Sequence, residues 1–135
     1  MEIKEFKTEW CLLQNQFDSY EKHSLQIKLL SVIVLLSAEI SGISTVFTVL
    51  LLMVLWLQDA IWKTFQSRIE PRLLQLEKYI SEGSEESPFQ FNSEYHKVRL
   101  RGAALISEYL RQSIRPTVAF PYVVLIVVLV GLGLL

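Results

Sequence analysis

Large apolar side chains recur along the first part of the chain in a pattern that predicts an amphipathic helix. Between residues 3 and 22 they follow one another at spacings of 3, 4, 3, 4 and 3, with acids and lysines between them. This heptad-like stripe is typical of a helix that packs on another helix. The stripe consists of Ile3, Phe6, Trp10, Leu13, Phe17 and Tyr20. We therefore expect residues 1–24 to form a helix packed against another helix of the same chain. The alternatives are that the helix lies on a membrane surface or binds a second protein.

A nearly uninterrupted apolar run follows, and its length predicts two crossings of a bilayer rather than one. Residues 27–57 make up 31 positions, which as one helix would extend for ~46 Å against a hydrocarbon core of ~30 Å. Near the middle, Glu39 is followed by Gly42 and two serines, residue types that favour turns. A turn there places the Glu39 carboxylate at the membrane surface, where its charge costs little. We expect a hairpin over residues 25–62; the alternative is one long tilted helix in which Glu39 has a function.

The distribution of basic residues gives the predicted hairpin an orientation. Of the 13 lysines and arginines, four precede or begin the first arm and nine lie between the second arm and the last apolar segment. Basic residues favour the cytoplasmic side of a membrane. A hairpin keeps all of them on one side, whereas a single long helix would place four outside. We therefore expect a multi-pass protein of the cell's inner membrane, with the N-terminus and residues 63–115 in the cytoplasm.

The inner end of the second arm carries residues expected where a helix leaves a membrane. Trp56 and Trp62 are placed as in an aromatic belt. Asp59 precedes Lys63 by four residues, which is the favourable order for a charge pair on one helix, so we expect the two to pair. Together with Glu39 at the outer turn, these four residues are the candidate interfacial residues.

The region between the apolar segments, residues 63–115, predicts further helices on the cytoplasmic side. Apolar residues at positions 69, 73, 76 and 80 continue a helical pattern, although Pro71 should break or kink it near Ser67 or begin a new helix. Residues 82–93 predict a loop that ends in an extended segment, because they are rich in Glu, Ser and Gly. A further helix is expected over residues 95–114.

The final segment, residues 116–135, is apolar enough to cross a membrane once more. Residues 118–135 carry no charge and would span ~27 Å as a helix, with Phe120 and Tyr122 at its inner end. The predicted fold is therefore all-α: a membrane protein with a transmembrane helical hairpin, cytoplasmic helices and a C-terminal transmembrane helix. The lipid bilayer is its first expected partner.

Two sets of polar residues near the apolar segments are candidates for specific contacts. Small hydroxyl residues spaced by 4, 4 and 3 positions favour close helix packing, with the lining of a pore as the alternative. They are Ser37, Ser41, Thr45 and Thr48. A basic set next to the membrane is placed to contact anionic lipid, although the cytoplasmic bias of basic residues would by itself produce it. It comprises Lys97, Arg99, Arg101, Arg111 and Arg115.

Composition and motifs argue against several classes of function. A net charge of −1 and the lack of a basic stretch interleaved with aromatics argue against nucleic-acid binding. The single cysteine, Cys11, provides neither an internal disulfide nor a paired-cysteine zinc site, and His23 and His96 have no second ligand at metal-binding spacing. The chain has no phosphate-binding glycine loop, nucleophile elbow or His-Glu-x-x-His motif. We therefore expect no enzyme activity, no metal and no cofactor.

The segment of residues 55–68, LWLQDAIWKTFQSR, resembles a group of small uncharacterised bacterial multi-pass inner-membrane proteins. In that group the second membrane helix ends in an aromatic-rich Asp-Ala-aromatic segment that runs into a basic cytoplasmic helix. Residues 88–91 and 115–122 resemble the group's extended segment and the aromatic entry to its last membrane helix. The resemblance covers roughly half of the chain and implies a bacterial or phage-related inner-membrane protein. Some small multi-pass proteins of this kind accompany anti-phage defence systems, and the resemblance supplies no catalytic residues.

These patterns lead to two hypotheses of function. The first is a homo-oligomeric membrane component that forms a pore or perturbs a membrane, including one that acts in bacterial defence. The second is a membrane anchor or adaptor that holds a soluble cytoplasmic protein. The hydroxyl residues separate the two, because in a pore they would line an axis shared by several copies, whereas in an anchor they would pack within one copy.

Cysteine labelling tests the predicted orientation. In a variant that lacks Cys11, a cysteine at position 42 should react with a membrane-impermeant maleimide added outside the cell. A cysteine at position 84 should react with the same reagent only after the membrane is permeabilised. Labelling of position 84 from outside contradicts the topology.

Overall fold

The structure, a computed structural model, describes residues 2–134 and contains five helices in that range. Met1 and Leu135, the end residues of the predicted first and last segments, lie outside the described residues. The prediction of an all-α fold is confirmed, and three of the helices, α1, α2 and α5, are long and apolar enough to cross a membrane. The helices are α1 (Glu2–Ser41), α2 (Thr45–Glu82), α3 (Phe91–Val98), α4 (Ala103–Ser113) and α5 (Pro116–Leu134).

A sharp turn between α1 and α2 divides the long apolar run. Gly42 has a φ of 68°, a left-handed conformation that glycine adopts at no steric cost, and Ile43 N–H donates to the Ala38 carbonyl at 3.0 Å. Ser44 caps α2, because its hydroxyl accepts a hydrogen bond from the Phe47 N–H at 3.2 Å. The alternative of one continuous helix through residues 25–62 is therefore wrong.

The two long helices lie side by side and antiparallel, and residues at equal helical rise from the turn face one another. Tyr20 on α1 contacts Trp62 and Phe65 on α2, with ring centroids 5.5 and 6.2 Å apart. Further from the turn, Phe6 contacts Tyr79 at 5.4 Å. The N-terminal amphipathic helix and the first apolar arm are one helix, so the predicted boundary at residues 24–25 is no break in the backbone.

Helix α2 continues through Pro71, so the predicted break or new helix start near Ser67 is wrong. A proline inside a helix costs about 3 kcal/mol, because it removes a hydrogen bond and its ring meets the preceding turn. Leu73 and Leu76, which follow the proline, are buried, and so is Ile69, which precedes it. Burial of large apolar side chains contributes roughly 1.5–3 kcal/mol each, so packing against α1 offsets the cost of the proline.

Two short helices replace the single helix predicted for residues 95–114. Helix α3 begins at Phe91, which shortens the predicted loop of residues 82–93 to residues 83–90. Gly102, with a φ of 56°, separates α3 from α4 because a left-handed residue interrupts a right-handed helix. The periodicity of apolar residues could not show this break, since α3 and α4 each keep a helical pattern.

The apolar halves of α1, α2 and α5 meet in a small core. Leu35, Leu52 and Leu129, one from each helix, are buried against one another. Most other large apolar residues in these segments are exposed, among them Leu29, Leu50 and Val127. An exposed apolar surface of this extent is typical of a helix bundle that faces lipid.

Candidate functional site

A buried carboxylate, Asp59, joins the three apolar helices. Its side chain is 0% exposed. Ser24 on α1 donates a hydrogen bond to Oδ1, and Tyr122 on α5 donates one to Oδ2 at 3.1 Å. Lys28 on α1 places its ammonium 3.3 Å from Oδ2 and donates to Ser24 Oγ at 2.9 Å. These four residues, called here the Asp59 cluster, supply the partners that a buried charge requires.

Among the other candidate interfacial residues, the two tryptophans each pack partly against another helix of the protein. Trp56 stacks on Tyr122 with planes 4° apart, and its Nε1 donates to the Ser113 carbonyl at 2.8 Å. Trp56 therefore ties α2 to α5 and to the end of α4. Trp62 packs on Tyr20 of α1 and remains partly exposed. Glu39 is exposed, close to the turn between α1 and α2.

The predicted pair between Asp59 and Lys63 does not form, because each charge finds a partner on α1. Lys63 Nζ lies 2.5 Å from Glu21 Oε2 and 3.2 Å from Gln66 Oε1. Asp59 is fully buried, and Lys28 of α1 reaches it there. Lys63 lies at the edge of the α1–α2 pair and reaches the exposed Glu21.

Hydrogen bonds from Lys63 and then Gln66 lower the pKa of Glu21 below its ordinary value. A carboxyl with a lowered pKa in the folded protein contributes stability above its unfolded pKa and loses it as the pH falls through the folded pKa. The contribution is small because the Glu21 side chain is 61% exposed and water screens the pair.

A second enclosed carboxylate, Glu9, holds the far ends of α1 and α2 together. Arg72 donates to it through two nitrogens, Nε to Oε1 at 2.8 Å and Nη2 to Oε2 at 3.1 Å. Both side chains are only 4% exposed. The backbone N–H of Phe89 also donates to Glu9 Oε2 at 2.6 Å. Glu9 therefore fixes the loop of residues 83–90 to the helix pair, with Phe89 in a left-handed conformation at a φ of 58°.

A partly open cavity of about 520 Å³ lies between α2, α3 and α4 and is called here the α2–α4 cavity. Arg68 of α2 lies in its wall, opposite Tyr95 of α3. The apolar part of the wall includes Phe91, Val98 and Leu105. This volume falls in the range of small-molecule sites in proteins, roughly 300–1,000 Å³.

The hydroxyl residues singled out in the sequence do not form one face. Ser37, Ser41 and Thr45 are exposed near the turn, whereas Thr48 is buried and donates to the carbonyl of Ser44 at 3.1 Å. A Cβ added at Gly133 would lie 3.4 Å from Thr45 Oγ1. Gly133 of α5 therefore lies beside Thr45 of α2, with room for a small side chain in ordinary van der Waals contact.

Members of the predicted lipid-contact set are exposed, but three of them are engaged within their own segment. Lys97 donates to Glu94 at 2.9 Å, which lowers the pKa of Glu94 and raises that of Lys97. Arg111 pairs with Glu108 at 2.9 Å, and Arg115 donates to Gln112. The remaining two, Arg99 and Arg101, lie exposed around the break between α3 and α4.

Several residues that build these sites were not identified from the sequence. They are Glu9, Ser24, Lys28, Arg68 and Arg72, and Tyr122 was expected only as an aromatic residue at the inner end of the last segment. Counting helical rise from the turn places Ser24 level with about Ala60, so the sequence could have predicted a contact between Ser24 and Asp59. The sequence could not have predicted the contact of Tyr122 with Asp59, because no sequence pattern sets the register of α5 against α2.

Residues 2–134 contain no group of three or more His, Cys, Asp or Glu side chains placed to hold a metal ion. No family model, curated protein or solved structure matches the chain. In chemical terms, the Asp59 cluster and the Glu9–Arg72 pair hold helices together, and the α2–α4 cavity offers an enclosed surface with an arginine in its wall.

Substitutions in the Asp59 cluster should loosen α5 from the α1–α2 pair. Asp59→Leu leaves Lys28 without its partner, and breaking a buried pair in this way costs about 3–5 kcal/mol. Tyr122→Phe removes one donor and keeps the stacked ring, so we expect a loss of about 1–3 kcal/mol. Thermal unfolding of the purified protein in detergent measures both, with the exposed Asp18→Asn as control. An Asp59→Leu variant as stable as the control contradicts this role of the cluster.

Loss of the Glu9 carboxylate should destabilise the other end of the helix pair and release the loop. Glu9→Gln leaves Arg72 without a charged partner, at a cost of about 3–5 kcal/mol. Glu5→Gln, one turn earlier on α1 and exposed, is the matched control and should change stability little. Limited proteolysis provides a second measurement, since cleavage within residues 83–90 should accelerate in Glu9→Gln alone. Equal cleavage rates in the two variants would show that Glu9 does not hold the loop.

Proposed function

We propose that the protein is a multi-pass membrane anchor that holds a helical platform at the cytoplasmic face of a bacterial inner membrane. In this arrangement the apolar halves of α1 and α2 and the whole of α5 cross the bilayer. The remaining parts of α1 and α2, with α3 and α4, lie in the cytoplasm, where the basic residues favour them. The platform would bind a soluble protein partner.

The observation that carries this proposal is the length of the α1–α2 pair beyond the apolar segments. Residues 3–24 and 63–82 continue both helices without a break for roughly 30 Å. This part of the pair is called here the stalk. The Glu9–Arg72 ion pair and the burial of Phe6 and Leu76 stabilise its far end. A rigid projection of this kind serves to present a surface away from the lipid.

Exposed apolar side chains on the stalk give a partner something to bind. Leu12 on α1 and Leu74 on α2 are each 59% exposed, outside the segments that would face lipid. Contiguous exposed apolar patches are typical of contact sites, and the proposal requires a partner to cover these two side chains. Ile106 and Leu110 on α4 are similarly exposed, and Leu110 lies near the end of α4 that meets Trp56.

The basic residues at the base of the platform support its placement against an anionic leaflet. Arg111 and Arg115, beside the start of α5, are exposed, and each basic residue close to such a surface contributes about 1 kcal/mol to membrane attraction. Ile114, exposed at the junction of α4 and α5, would lie at the level of the lipid interface in this arrangement.

A homo-oligomer with a pore is the second candidate. It is favoured by the exposure of Ser37, Ser41 and Thr45 at one end of the apolar bundle. Since Leu35, Leu52 and Leu129 fill the centre of one copy, a polar path would have to form between several copies. The hydroxyl of Thr48 is turned inward, so three of the four predicted residues remain available for such a path.

Site-specific photocrosslinking in cells separates the two candidates. A benzoylphenylalanine at Leu74 should give a discrete adduct with a different protein if the stalk binds a partner. The same residue at Leu50, which is exposed in the apolar segment, is the control and should give none. Adducts of two copies of the chain from positions 37 and 45, with none from position 74, would favour the pore over the anchor.

A further inference from the structure

Arg68 in the wall of the α2–α4 cavity has no anionic partner and donates no hydrogen bond to another side chain or carbonyl within residues 2–134. Its guanidinium lies over the ring of Phe65 at 4.5 Å and over that of Tyr95 at 5.0 Å. Its Nε is enclosed and unpaired. Because rings contact the faces of a guanidinium, they leave the N–H groups at its edge free to donate.

The other charged residues of the cavity wall are already paired. Arg72 binds Glu9, Arg111 binds Glu108, and Glu94 binds Lys97. Each positive or negative charge of the wall is therefore balanced, except that of Arg68. A partly enclosed arginine without a counter-charge is costly, and an anion is the partner that its forked N–H groups bind best.

The remainder of the wall is mostly apolar. Phe91, Val98, Leu100 and Leu105 contribute to it from α3, α4 and the segment between them. Such a surface accepts a hydrocarbon chain and gains from its burial, by about 0.8 kcal/mol per CH₂ group. The cavity thus joins one free cationic group to an apolar enclosure.

We propose that the α2–α4 cavity binds an amphiphilic anion, whose single phosphate or carboxylate pairs with Arg68 and whose alkyl chain fills the apolar part. Phe65 and Tyr95 hold the guanidinium in place, so the anion meets a preorganised donor. The source is either a single-chain lipid of the membrane or a free alkyl acid in the cytoplasm, and the two share this chemistry.

The position of the cavity suits a compound that exchanges with a bilayer. Thr64, in its wall, lies five residues beyond Asp59 along α2, or about 8 Å. The position of the cavity relative to the bilayer rests on the proposed function, which places the Asp59 cluster close to the inner membrane surface. Binding itself depends on Arg68 and the apolar wall and does not require that placement.

Native mass spectrometry of the protein in nanodiscs of zwitterionic lipid tests the proposal, with dodecyl phosphate as the probe. We expect one bound molecule per chain and about a tenfold or greater loss of affinity in Arg68→Gln, because a charged hydrogen-bonded pair is removed. Lys78→Gln is the matched control, since Lys78 is exposed on the same helix, outside the cavity wall and outside the predicted lipid-contact set. Its affinity should equal that of the parent chain.

Two further probes separate the charge from the alkyl chain. Dodecyltrimethylammonium, with the same chain and the opposite charge, should not bind at this site, and inorganic phosphate should bind far more weakly than dodecyl phosphate. Equal binding of the cation, or equal loss in Arg68→Gln and Lys78→Gln, would overturn the proposal. Tight binding of inorganic phosphate alone would overturn the assignment of an alkyl chain.

A second variant covers the case in which Arg68→Gln does not fold. Leu105→Trp enlarges a side chain in the wall and should block the alkyl chain while Arg68 stays in place. Circular dichroism and gel filtration check that each variant is folded. Unchanged binding of dodecyl phosphate by a folded Leu105→Trp variant would contradict occupation of the cavity.

The source of the anion is identified from the molecules that remain bound to protein extracted without added probe. A single-chain anionic lipid that is retained by the parent chain and lost in Arg68→Gln identifies the membrane as the source. Binding only of probe added from water identifies a soluble acid. Neither result depends on the photocrosslinking outcome, so failure of the anchor proposal and failure of this one are distinguishable.

Discussion

The burial of the Asp59 carboxylate constrains how the three apolar helices associate. A charge removed from water needs hydrogen bonds and an opposite charge, and α2 alone supplies neither to Asp59. Ser24 and Lys28 from α1 and Tyr122 from α5 provide them, so a shift of α5 along α2 would break the hydrogen bond from Tyr122 to the carboxylate. Apolar contacts such as that of Leu52 with Leu129 are less directional and tolerate sliding. The polar cluster therefore gives the bundle a single register.

A second buried carboxylate, that of Glu9, constrains the far end of the helix pair in the same way. Glu9 and Arg72 are almost fully enclosed, and the bidentate geometry fixes both the separation and the rotation of α1 against α2. Glu9 also accepts the Phe89 N–H, so the chain leaves α2 and returns toward α3 along a defined path. Asp59 and Arg72, the partner of Glu9, thus lie near the two ends of the stretch of α2 that lines the cavity.

The cavity is a consequence of how α3 and α4 return to the apolar part of the bundle. The break at Gly102 turns one predicted helix into two, and these cover α2 without filling the space beside Arg68. A straight helix over residues 95–114 would not have enclosed this space with elements from both sides. The unpaired guanidinium remains between two aromatic rings, next to charges that have all found partners.

Periodicity and charge distribution determined much of this protein from the sequence alone: its helical class, the three apolar helices, and the turn at Gly42 with the antiparallel pairing of α1 and α2 that follows from it. These features are local or follow from a short turn, since a tight connection leaves two helices one way to lie together. The sequence did not predict the passage of α2 through Pro71, because burial of Leu73 and Leu76 against α1 outweighs a local penalty. Nor did it predict that Asp59 pairs with Lys28 rather than Lys63, or that Arg72 pairs with Glu9. Those choices belong to the tertiary structure, because the partner of a buried charge is decided by which helix faces it and not by spacing along its own helix.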